Sequence, residues 1–273
     1  LYYTLLRCEQ LTGKKPWSEA WIMGYGLDEK GMKMSKSIGN ALDPLPIIQK
    51  FGADTFRFWS ASEINHGHDF RCSEQKIEST RKFLSKLWNV SRFLSSFPIL
   101  ESGNTTPADD WILSELDNLI AECERGYGEY NFFIPAVAIR EFTWNLFAAQ
   151  YIEMVKARAY GIGFSEDEKN AAIFTLHKTL STILKLLAPI TPLITEHLWQ
   201  KLYSQESIHK EEQVKRESPK DMRSYTKEII EFNSKVWNEK KSKGLSLKDS
   251  ITISIPSSLE IFKKDLKAMH NLK

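Results

Sequence analysis

Residues 31–40 read GMKMSKSIGN, and this stretch organises the chain around an anion-binding loop. Two lysines, Lys33 and Lys36, stand three residues apart among small residues, and a glycine lies at each edge. Glycine lets a backbone turn and move, while serine hydroxyls, backbone N–H groups and lysine ammonium groups bind phosphate. Such a loop suits a reaction whose negative charge moves onto a leaving pyrophosphate, because positioned cations then stabilise the transition state. The alternative from the motif alone is a solvated surface loop with chance lysines.

The composition is that of a folded protein with little overall charge. The chain has 273 residues, enough for about two domains, and 42% of them are hydrophobic and 26% charged. The net charge is only +2, so binding to nucleic acid would depend on local basic patches. Cys8, Cys72 and Cys123 lie far apart without a Cys-x-x-Cys pair, which argues against a zinc ribbon or a disulfide framework and fits a reducing cytosol.

Targeting features give a matching prediction. No uninterrupted apolar run approaches the roughly 20 residues that span a bilayer, and no signal peptide is visible. We therefore predict a cytoplasmic protein without membrane contact. The chain begins at Leu1 inside an apolar helical pattern rather than at a methionine, which predicts a fragment of a longer protein.

The part of the chain around the loop predicts short elements. Residues 1–11 predict a helix, and 21–27 predict a buried strand that leads into the loop. A strand that ends at a mobile phosphate loop fits ligand binding at the carboxyl edge of an α/β sheet. Asp43 and Pro44 then predict a helix start, as cap and first helical residue, and Gly52 separates this helix from the next one.

A long amphipathic helix is predicted between residues 73 and 97. Its apolar residues step by four and three positions and form one stripe: Phe83, Leu87, Val90, Leu94 and Phe97. The same part of the chain is strongly basic, with Arg71, Lys76, Arg81, Lys82, Lys86 and Arg92. Such a cluster is either a solvated face or a surface for RNA phosphates, and we predict RNA contact.

The following residues predict a helical bundle. Helices are expected from Pro107, over 133–160, from a capping box that begins at Ser165, and from Pro192. The helix over 133–160 has two apolar sides, one of which includes Trp144, Phe147 and Tyr151, so we place it in the middle of the bundle. Short connections between four such helices are typical of an α-helical bundle.

The last part of the chain predicts a smaller unit. Residues 204–224 are polar and charged, which predicts a linker or mobile loop. A helix is then expected over 225–243, a half-buried strand over 250–255, and a last helix over 259–269.

The loop also carries a resemblance to a known family. Residues 33–37, KMSKS, match letter for letter the signature of class I aminoacyl-tRNA synthetases. The residues that follow have the order seen in the synthetases for valine, isoleucine and leucine: Asp43-Pro44, then Gly52-Ala53-Asp54 with Arg57. The sequence KLWNVSRF at 86–93 is most similar to the valine type, and so is Tyr151-Ile152-Glu153 with Lys156, Arg158 and Tyr160. The chain differs from the family at Gly24-Tyr25-Gly26, where Gly-His is usual.

This resemblance implies a mainly α fold in five parts. Residues 1–42 would end a Rossmann-like catalytic domain that carries the KMSKS loop, and 43–98 would form a helical junction against the inside of the tRNA L. Residues 99–209 would be the anticodon-binding α-helical bundle, 210–224 a linker, and 225–273 a small α/β C-terminal part of helix, strand and helix.

The resemblance also implies a function. The intact enzyme would activate valine with ATP and Mg²⁺ and transfer the valine to its tRNA, acting as a monomer in the cytoplasm. The His-Ile-Gly-His signature, the editing domain and most of the amino-acid pocket are not in this sequence, so we expect the chain alone to be inactive. Two alternatives stay open: a fragment of an isoleucine enzyme, and a stand-alone, non-catalytic tRNA-binding module.

Site residues are assigned through the same resemblance. Lys33 and Lys36 are the predicted catalytic residues, with Lys36 stabilising the departing pyrophosphate. The predicted ATP-binding residues are Lys33, Met34, Ser35, Lys36 and Ser37. The predicted tRNA-binding residues are Arg71, Lys76, Arg81, Lys82, Lys86, Arg92, Lys156 and Arg158. No metal site is predicted, because His66 and His68 have no further candidate ligands nearby.

Several polar and aromatic residues have competing interpretations. Asn40 either lines the adenine side of the site or is structural. Asp54 and Arg57 are predicted to be a helix-start cap and an intrahelical pair. Trp59 and Trp144 are candidates to stack on the bases of a single-stranded loop, although most aromatic residues are expected in the core. The sequence does not indicate which residues read the anticodon.

Overall fold

The computed structural model of the chain describes residues 1–217 and 220–273, and this part is mainly helical, as predicted. It divides into two compact units, one formed by 1–42 with 63–73 and the other by 43–62 with 74–273. The elements are β1 Gly26–Leu27, β2 Phe70–Arg71, α1 Tyr2–Thr12, α2 Pro44–Phe51, α3 Ala53–Glu63, α4 Glu74–Leu94, α5 Pro107–Gly128, α6 Phe133–Glu141, α7 Ile152–Ala159, α8 Glu166–Leu187, α9 Pro192–Leu202, α10 Thr226–Ser242 and α11 Lys263–His270.

The first unit holds a small parallel sheet. β1 pairs with β2, with Gly26 opposite Phe70 and Leu27 opposite Arg71. The predicted buried strand over 21–27 is wrong in length and burial, because only Gly26–Leu27 have a strand partner in the described residues and the residues before them are largely exposed. The backbone there passes close to its neighbour, and a Cβ on Gly24 would lie only 1.9 Å from the carbonyl oxygen of His68. That position therefore requires glycine.

The predicted helix starts in the second unit are confirmed. Asp43 caps α2, since its Oδ1 accepts a 3.0 Å hydrogen bond from the Leu45 N–H, and Pro44 is the first helical residue. Thr106 and Asp109 form a capping box at α5, and Ser165 and Glu168 form another at α8. These caps satisfy backbone N–H groups that have no partner inside the helix.

Asp54 and Arg57 both form hydrogen bonds to other parts of the fold. The Asp54 carboxylate accepts hydrogen bonds from the backbone N–H groups of Leu193 (3.4 Å) and Ile194 (2.6 Å), at the start of α9. Arg57 donates to the carbonyl oxygens that follow α8, those of Pro189 (3.0 Å) and Ile190 (2.9 Å). The predicted local cap is therefore wrong, and α3 instead holds the corner between α8 and α9. Burial, the largest cause, raises the pKa of Asp54, although within the helix the charge of Arg57 still favours the Asp54 carboxylate.

One apolar core runs through the second unit. The α4 stripe is buried as predicted, and it joins residues from α5 to α9, among them Trp111, Ile112, Ile139, Leu176, Leu180 and Ile183. Residues from α10 and α11 belong to the same core, including Ile229, Val236 and Leu266. Residues of the predicted junction, bundle and C-terminal part thus contribute to one core.

The predicted helix over 133–160 is helical but not uniform. A π-helical segment, Phe142–Tyr151, lies between α6 and α7. In this segment Phe142 and Phe147 stack with their ring centroids 6.4 Å apart and their planes 7° apart. The wider turn places residues five apart on one face, whereas an α-helix aligns residues three and four apart.

The polar segment between α9 and α10 packs against the bundle. Ile208 and Met222 are buried, and the Asp117 carboxylate on α5 binds the Arg216 guanidinium at 2.9 Å and the Glu217 backbone N–H at 3.0 Å. The polar composition of this segment predicted a linker or mobile loop and did not indicate these contacts. The predicted linker 210–224 also includes residues 218–219, which lie outside the described residues.

The expected strand over 250–255 is an extended segment with a single bridge, between Ile251 and Leu272. Its side chains do alternate, with Ile251 buried and Thr252 exposed, but no second strand continues the pairing within the described residues. The last helix begins as a 3₁₀ turn over Ser257–Phe262 and continues as α11.

Candidate functional site

The loop over 31–40 is held by a carboxylate at its entrance. Asp28 Oδ1 accepts hydrogen bonds from the backbone N–H groups of Lys30 (3.0 Å) and Met32 (2.8 Å), and its Oδ2 accepts one from Asn40 Nδ2 (2.9 Å). The Asn40 amide and then the Met32 N–H lower the pKa of Asp28, because both favour the charged carboxylate. Asp28 and Asn40 therefore tie the two ends of the loop together.

Asn40 also fixes the centre of the loop. Its Nδ2 donates to the Lys33 carbonyl oxygen at 3.2 Å, and its Oδ1 accepts from the Ser35 N–H at 2.9 Å. The hydroxyl oxygens of Ser35 and Ser37 are 2.7 Å apart. The Asn40 side chain thus bonds to Asp28, Lys33 and Ser35, which supports its structural interpretation over a contact with adenine. Sequence reasoning missed the partner, Asp28, although a polar residue on each side of the loop was the available signal.

The two lysines project from this fixed backbone. Both side chains are exposed, and Lys33 Nζ lies 3.7 Å from the centroid of the Tyr25 ring, within cation–π distance. Met34 folds back, and its Cε lies 2.6 Å from where a Cβ on Gly26 would stand. The loop therefore presents two ammonium groups that can meet an anionic ligand without first breaking a buried ion pair.

Arg71 lies beside this loop. Its Nη2 is 3.3 Å from where a Cβ on Gly31 would stand, and both residues belong to the first unit. The other predicted basic residues near it in sequence belong to the second unit, on α4. The predicted basic stretch is therefore divided, and Arg71 places a cationic group beside Gly31, at the start of the loop that carries the two lysines.

The basic residues of α4 line different clefts. Arg81, Lys82 and Lys86 line a cleft of about 310 Å³ together with Glu78, Ser85, Asn89 and Trp144. Arg92 lines another cleft, with Trp88, His197 and Lys201. Lys76 is exposed near the start of the helix. The structure thus brings together three of the predicted RNA-binding residues.

Arg158 does not lie on a surface that could meet RNA. Its side chain is 1% exposed, its Nη1 and Nη2 each donate to the Asp109 carboxylate at 2.8 Å, and its Nε donates to Asp265 at 3.0 Å. Tyr151 also donates to Asp109, at 2.5 Å. The prediction that Arg158 contacts tRNA is therefore wrong. Lys156, two residues earlier, is exposed and pairs with Glu153 at 3.2 Å.

The aromatic and histidine candidates separate clearly. Trp59 is 3% exposed, so it cannot stack on a base, whereas Trp144 is 38% exposed. His177 is buried and its Nε2 lies 3.3 Å from the Phe97 carbonyl oxygen, which makes it a packed residue. His197 is exposed and stacks on Trp88, with ring centroids 5.6 Å apart.

The described residues contain neither a group of metal ligands nor a membrane-spanning helix. Within 1–217 and 220–273, no three His, Cys, Asp or Glu side chains are grouped so that they could hold a metal ion. In the same ranges, no helix is both long enough and apolar enough to cross a membrane.

Comparisons with known proteins agree with this arrangement. Residues 109–255 match the family model described as the anticodon-binding domain of tRNA ligase, and residues 1–73 match that of the class I tRNA synthetases (I, L, M and V). The valine–tRNA ligase of Aeropyrum pernix is 39% identical over 99% of this chain, and that of Nanoarchaeum equitans is 38% identical over 100%. The chain spans about a third of the length of these curated relatives, 34% and 36%.

A solved structure shares the fold. It is a crystal structure of the ternary complex of a LeuRS from Agrobacterium radiobacter K84 with tRNA and LeuAMS, and it matches 84% of this chain and 27% of its own with a TM-score of 0.62. The sequence identity is 21%, so this likeness concerns the fold alone. The resemblance predicted from the KMSKS loop is confirmed, and the chain belongs to the class I aminoacyl-tRNA ligases, with valine–tRNA ligases as its relatives and the anticodon-binding domain of that family in its helical part.

Proposed function

We propose that this chain is part of a valine–tRNA ligase, to which it supplies the KMSKS loop and the helices that bind tRNA. The intact enzyme joins valine to AMP at the expense of ATP, releases pyrophosphate, and transfers the valine to the 3′ end of its tRNA. Mg²⁺ enters with the ATP phosphates. The enzyme acts in the cytoplasm as a monomer.

The observation that carries this proposal is the loop geometry in a chain that matches valine–tRNA ligases along its whole length. Asp28 and Asn40 fix the loop backbone, while the ammonium groups of Lys33 and Lys36 stay exposed. Such charges suit phosphates that gain negative charge as pyrophosphate leaves. Met34, Ser35 and Ser37 complete the proposed ATP-binding loop, with the serines shaping its turn.

The helical unit supports the tRNA half of the proposal. Its match to the anticodon-binding domain covers 109–255, and Arg81, Lys82 and Lys86 form a basic cleft in the same unit. Phosphate contacts from such residues position an RNA without reading its sequence. Lys76, Arg92 and Lys156, which are exposed at other places, stay candidates for further phosphate contacts.

The test is ATP–pyrophosphate exchange with the intact enzyme, in the presence of valine or isoleucine, followed by aminoacylation of a valine tRNA transcript. Valine-dependent exchange and valylation are expected. Exchange that depends on isoleucine would identify the isoleucine enzyme instead. An intact protein that binds tRNA but exchanges with neither amino acid would favour the non-catalytic module. The 273-residue chain alone is expected to give no exchange.

A further inference from the structure

Trp144 stands out among the exposed tryptophans of the chain. In the part that the structure describes, three tryptophans are more than about a third exposed: Trp21, Trp88 and Trp144. Trp21 contacts the His66 ring, with centroids 4.1 Å apart, and Trp88 stacks on His197. Trp144 has no ring partner in residues 1–217 and 220–273. Its exposed part, 38% of the residue, is therefore not covered by another aromatic ring of the described residues.

The π-helical segment explains why Trp144 is exposed. An α-helical repeat would place it on the same apolar side as Phe147 and Tyr151, and both of these are fully buried. In the wider π turn, Phe142 and Phe147 share the inward face, and Trp144 turns outward. Helices of this type are rare and often occur at functional sites.

The surroundings of Trp144 select an anionic ligand with a flat apolar part. The cleft that it lines has a volume of about 310 Å³, which is near the lower end of the range for small-molecule pockets. Arg81, Lys82 and Lys86 line the facing side on α4, and Glu78 is the one acid among the lining residues. Three cations and one carboxylate leave a net charge of +2 on the lining. Asn89 adds an amide that can hydrogen-bond a base edge.

We propose that Trp144 stacks on an unpaired base of the bound tRNA while Arg81, Lys82 and Lys86 hold the neighbouring phosphates. The inference rests on the proposed function, and it deepens that function by naming a base-stacking position. Aromatic side chains stack on splayed bases of single-stranded RNA, and nearby cations follow the backbone. A double-stranded stem would offer phosphates to the cations but no base face to Trp144. The cleft therefore fits a loop or bulge of the tRNA and not a stem.

The experiment measures the affinity of the intact enzyme for a valine tRNA transcript by filter binding at several salt concentrations. The variants are Trp144→Ala, Trp144→Leu and Trp144→Phe, with Trp88→Ala as the matched control on another exposed tryptophan of the same unit. Circular dichroism melting verifies that each variant is folded. Loss of stacking on one base should weaken binding roughly 5- to 100-fold in the Ala and Leu variants.

The salt dependence separates stacking from phosphate binding. Stacking releases few counterions, so Trp144→Ala should lower the affinity at every salt concentration and leave the log–log slope unchanged. Trp144→Phe should retain most of the affinity, and Trp88→Ala should bind like the wild type. If folded Trp144→Leu binds within twofold of the wild type, the stacking role is wrong while the proposed function stands. Failure of the wild-type enzyme to bind tRNA at all would overturn both.

Discussion

Lys36 carries a charge of the loop, while other residues hold the loop backbone in place. The backbone around it is held by neutral amide and hydroxyl groups and by the Asp28 carboxylate. Its own ammonium group is exposed. A cation that is not engaged in an internal ion pair can give its full interaction to charge that develops during the reaction.

We predict that Lys36→Ala slows adenylate formation in the intact enzyme by about 10²–10³-fold, because it removes a contact made mainly in the transition state. Valine binding should change much less. Pre-steady-state activation kinetics measure the effect, and Lys30→Ala, an exposed lysine in the turn before the loop, is the matched control. A loss below about fivefold would contradict the role given to Lys36.

Asn40 supports a second prediction. Asn40→Ala removes three hydrogen bonds, each of which stabilises the bound conformation of the loop by about 0.5–1.5 kcal/mol. The KM for ATP should therefore rise about tenfold or more. Asn40→Asp should be at least as harmful, because it keeps the acceptor for Ser35 but places a second carboxylate beside Asp28. ATP titrations of the exchange rate make the comparison. A functional Asn40→Asp enzyme would show that the Asp28–Asn40 bond does not hold the loop.

The extent to which these roles follow from the sequence depends on the distance between partners along the chain. Asp43 and Ser165 cap helices through bonds to residues two or three positions away, and such bonds are visible in local sequence. Arg158 was misassigned to the surface because its partners, Asp109 and Asp265, are 49 and 107 residues away. A basic residue on a helix looks the same in sequence whether it meets solvent or a buried carboxylate.

The helix α4 combines an anchored side with a basic side. Phe83 and Leu87 are buried in the core, while Lys82 is exposed and Lys86 is half-buried at the cleft. The apolar stripe of α4 was predictable because it depends only on helical periodicity. The position of Trp144 beside the basic side could not be predicted in this way, because it depends on the π-helical turn in another part of the chain.

We predict that replacing both Lys82 and Lys86 by Ala weakens tRNA binding and makes the log–log plot of affinity against salt concentration less steep by roughly 1–2 units. A phosphate that loses its lysine contact keeps its condensed counterions, so fewer counterions are released on binding. Stability should change little, since these lysines are on the surface. Filter binding across salt concentrations gives the slope. The matched control is the double replacement of Lys235 and Lys241, two exposed lysines on α10. Equal slopes in wild type and a folded double mutant would move the RNA surface elsewhere, for example toward Lys156.

Asp54 provides a test of the junction between helices. Asp54→Ala leaves two backbone N–H groups at the start of α9 without their acceptor, which should cost about 1–2 kcal/mol of unfolding free energy. Asp54→Asn should cost less, because its amide oxygen still accepts one bond and burial already raises the pKa of the carboxylate. Urea unfolding of both variants provides the values. An Asp54→Ala protein as stable as the wild type would contradict the capping role.

The helical unit as a whole is joined by a buried charge cluster. Arg158 on α7 binds Asp109 on α5 with two bonds and Asp265 on α11 with one, so the cluster links the bundle to the last helix. One guanidinium faces two carboxylates, which leaves a net negative charge in the interior. Because Asp109 already neutralises Arg158, Asp265 is the carboxylate with less compensation. Burial, the largest cause, raises the pKa of Asp265 to about 6.

This raised pKa gives a stability contribution with a defined sign. The folded state holds a proton on Asp265 that the unfolded state releases near pH 4, so the contribution is complete below about pH 4 and is lost as the pH rises to about 6. His270 acts in the opposite direction. Burial, followed by the charge of Lys240, lowers the pKa of His270 to about 4, so its contribution is complete above its ordinary pKa and is lost as the pH falls. The two contributions have opposite dependences on pH. A plot of the unfolding free energy of the wild type against pH therefore does not resolve either group.

Comparing wild type with Asp265→Asn isolates the carboxylate, because His270 is present in both proteins. The Asn oxygen can still accept the bond from Arg158 Nε, but it carries no charge that can change with pH. Between pH 4 and pH 7, the unfolding free energy of the wild type should fall by roughly 2–3 kcal/mol relative to that of the variant. Urea unfolding at four pH values measures this difference, and Asp167→Asn, at an exposed acid in the first turn of α8, should give a change below about 1 kcal/mol. A difference between wild type and Asp265→Asn that stays constant or rises with pH would mean that Asp265 is fully compensated by Arg158, and that the cluster carries no excess negative charge.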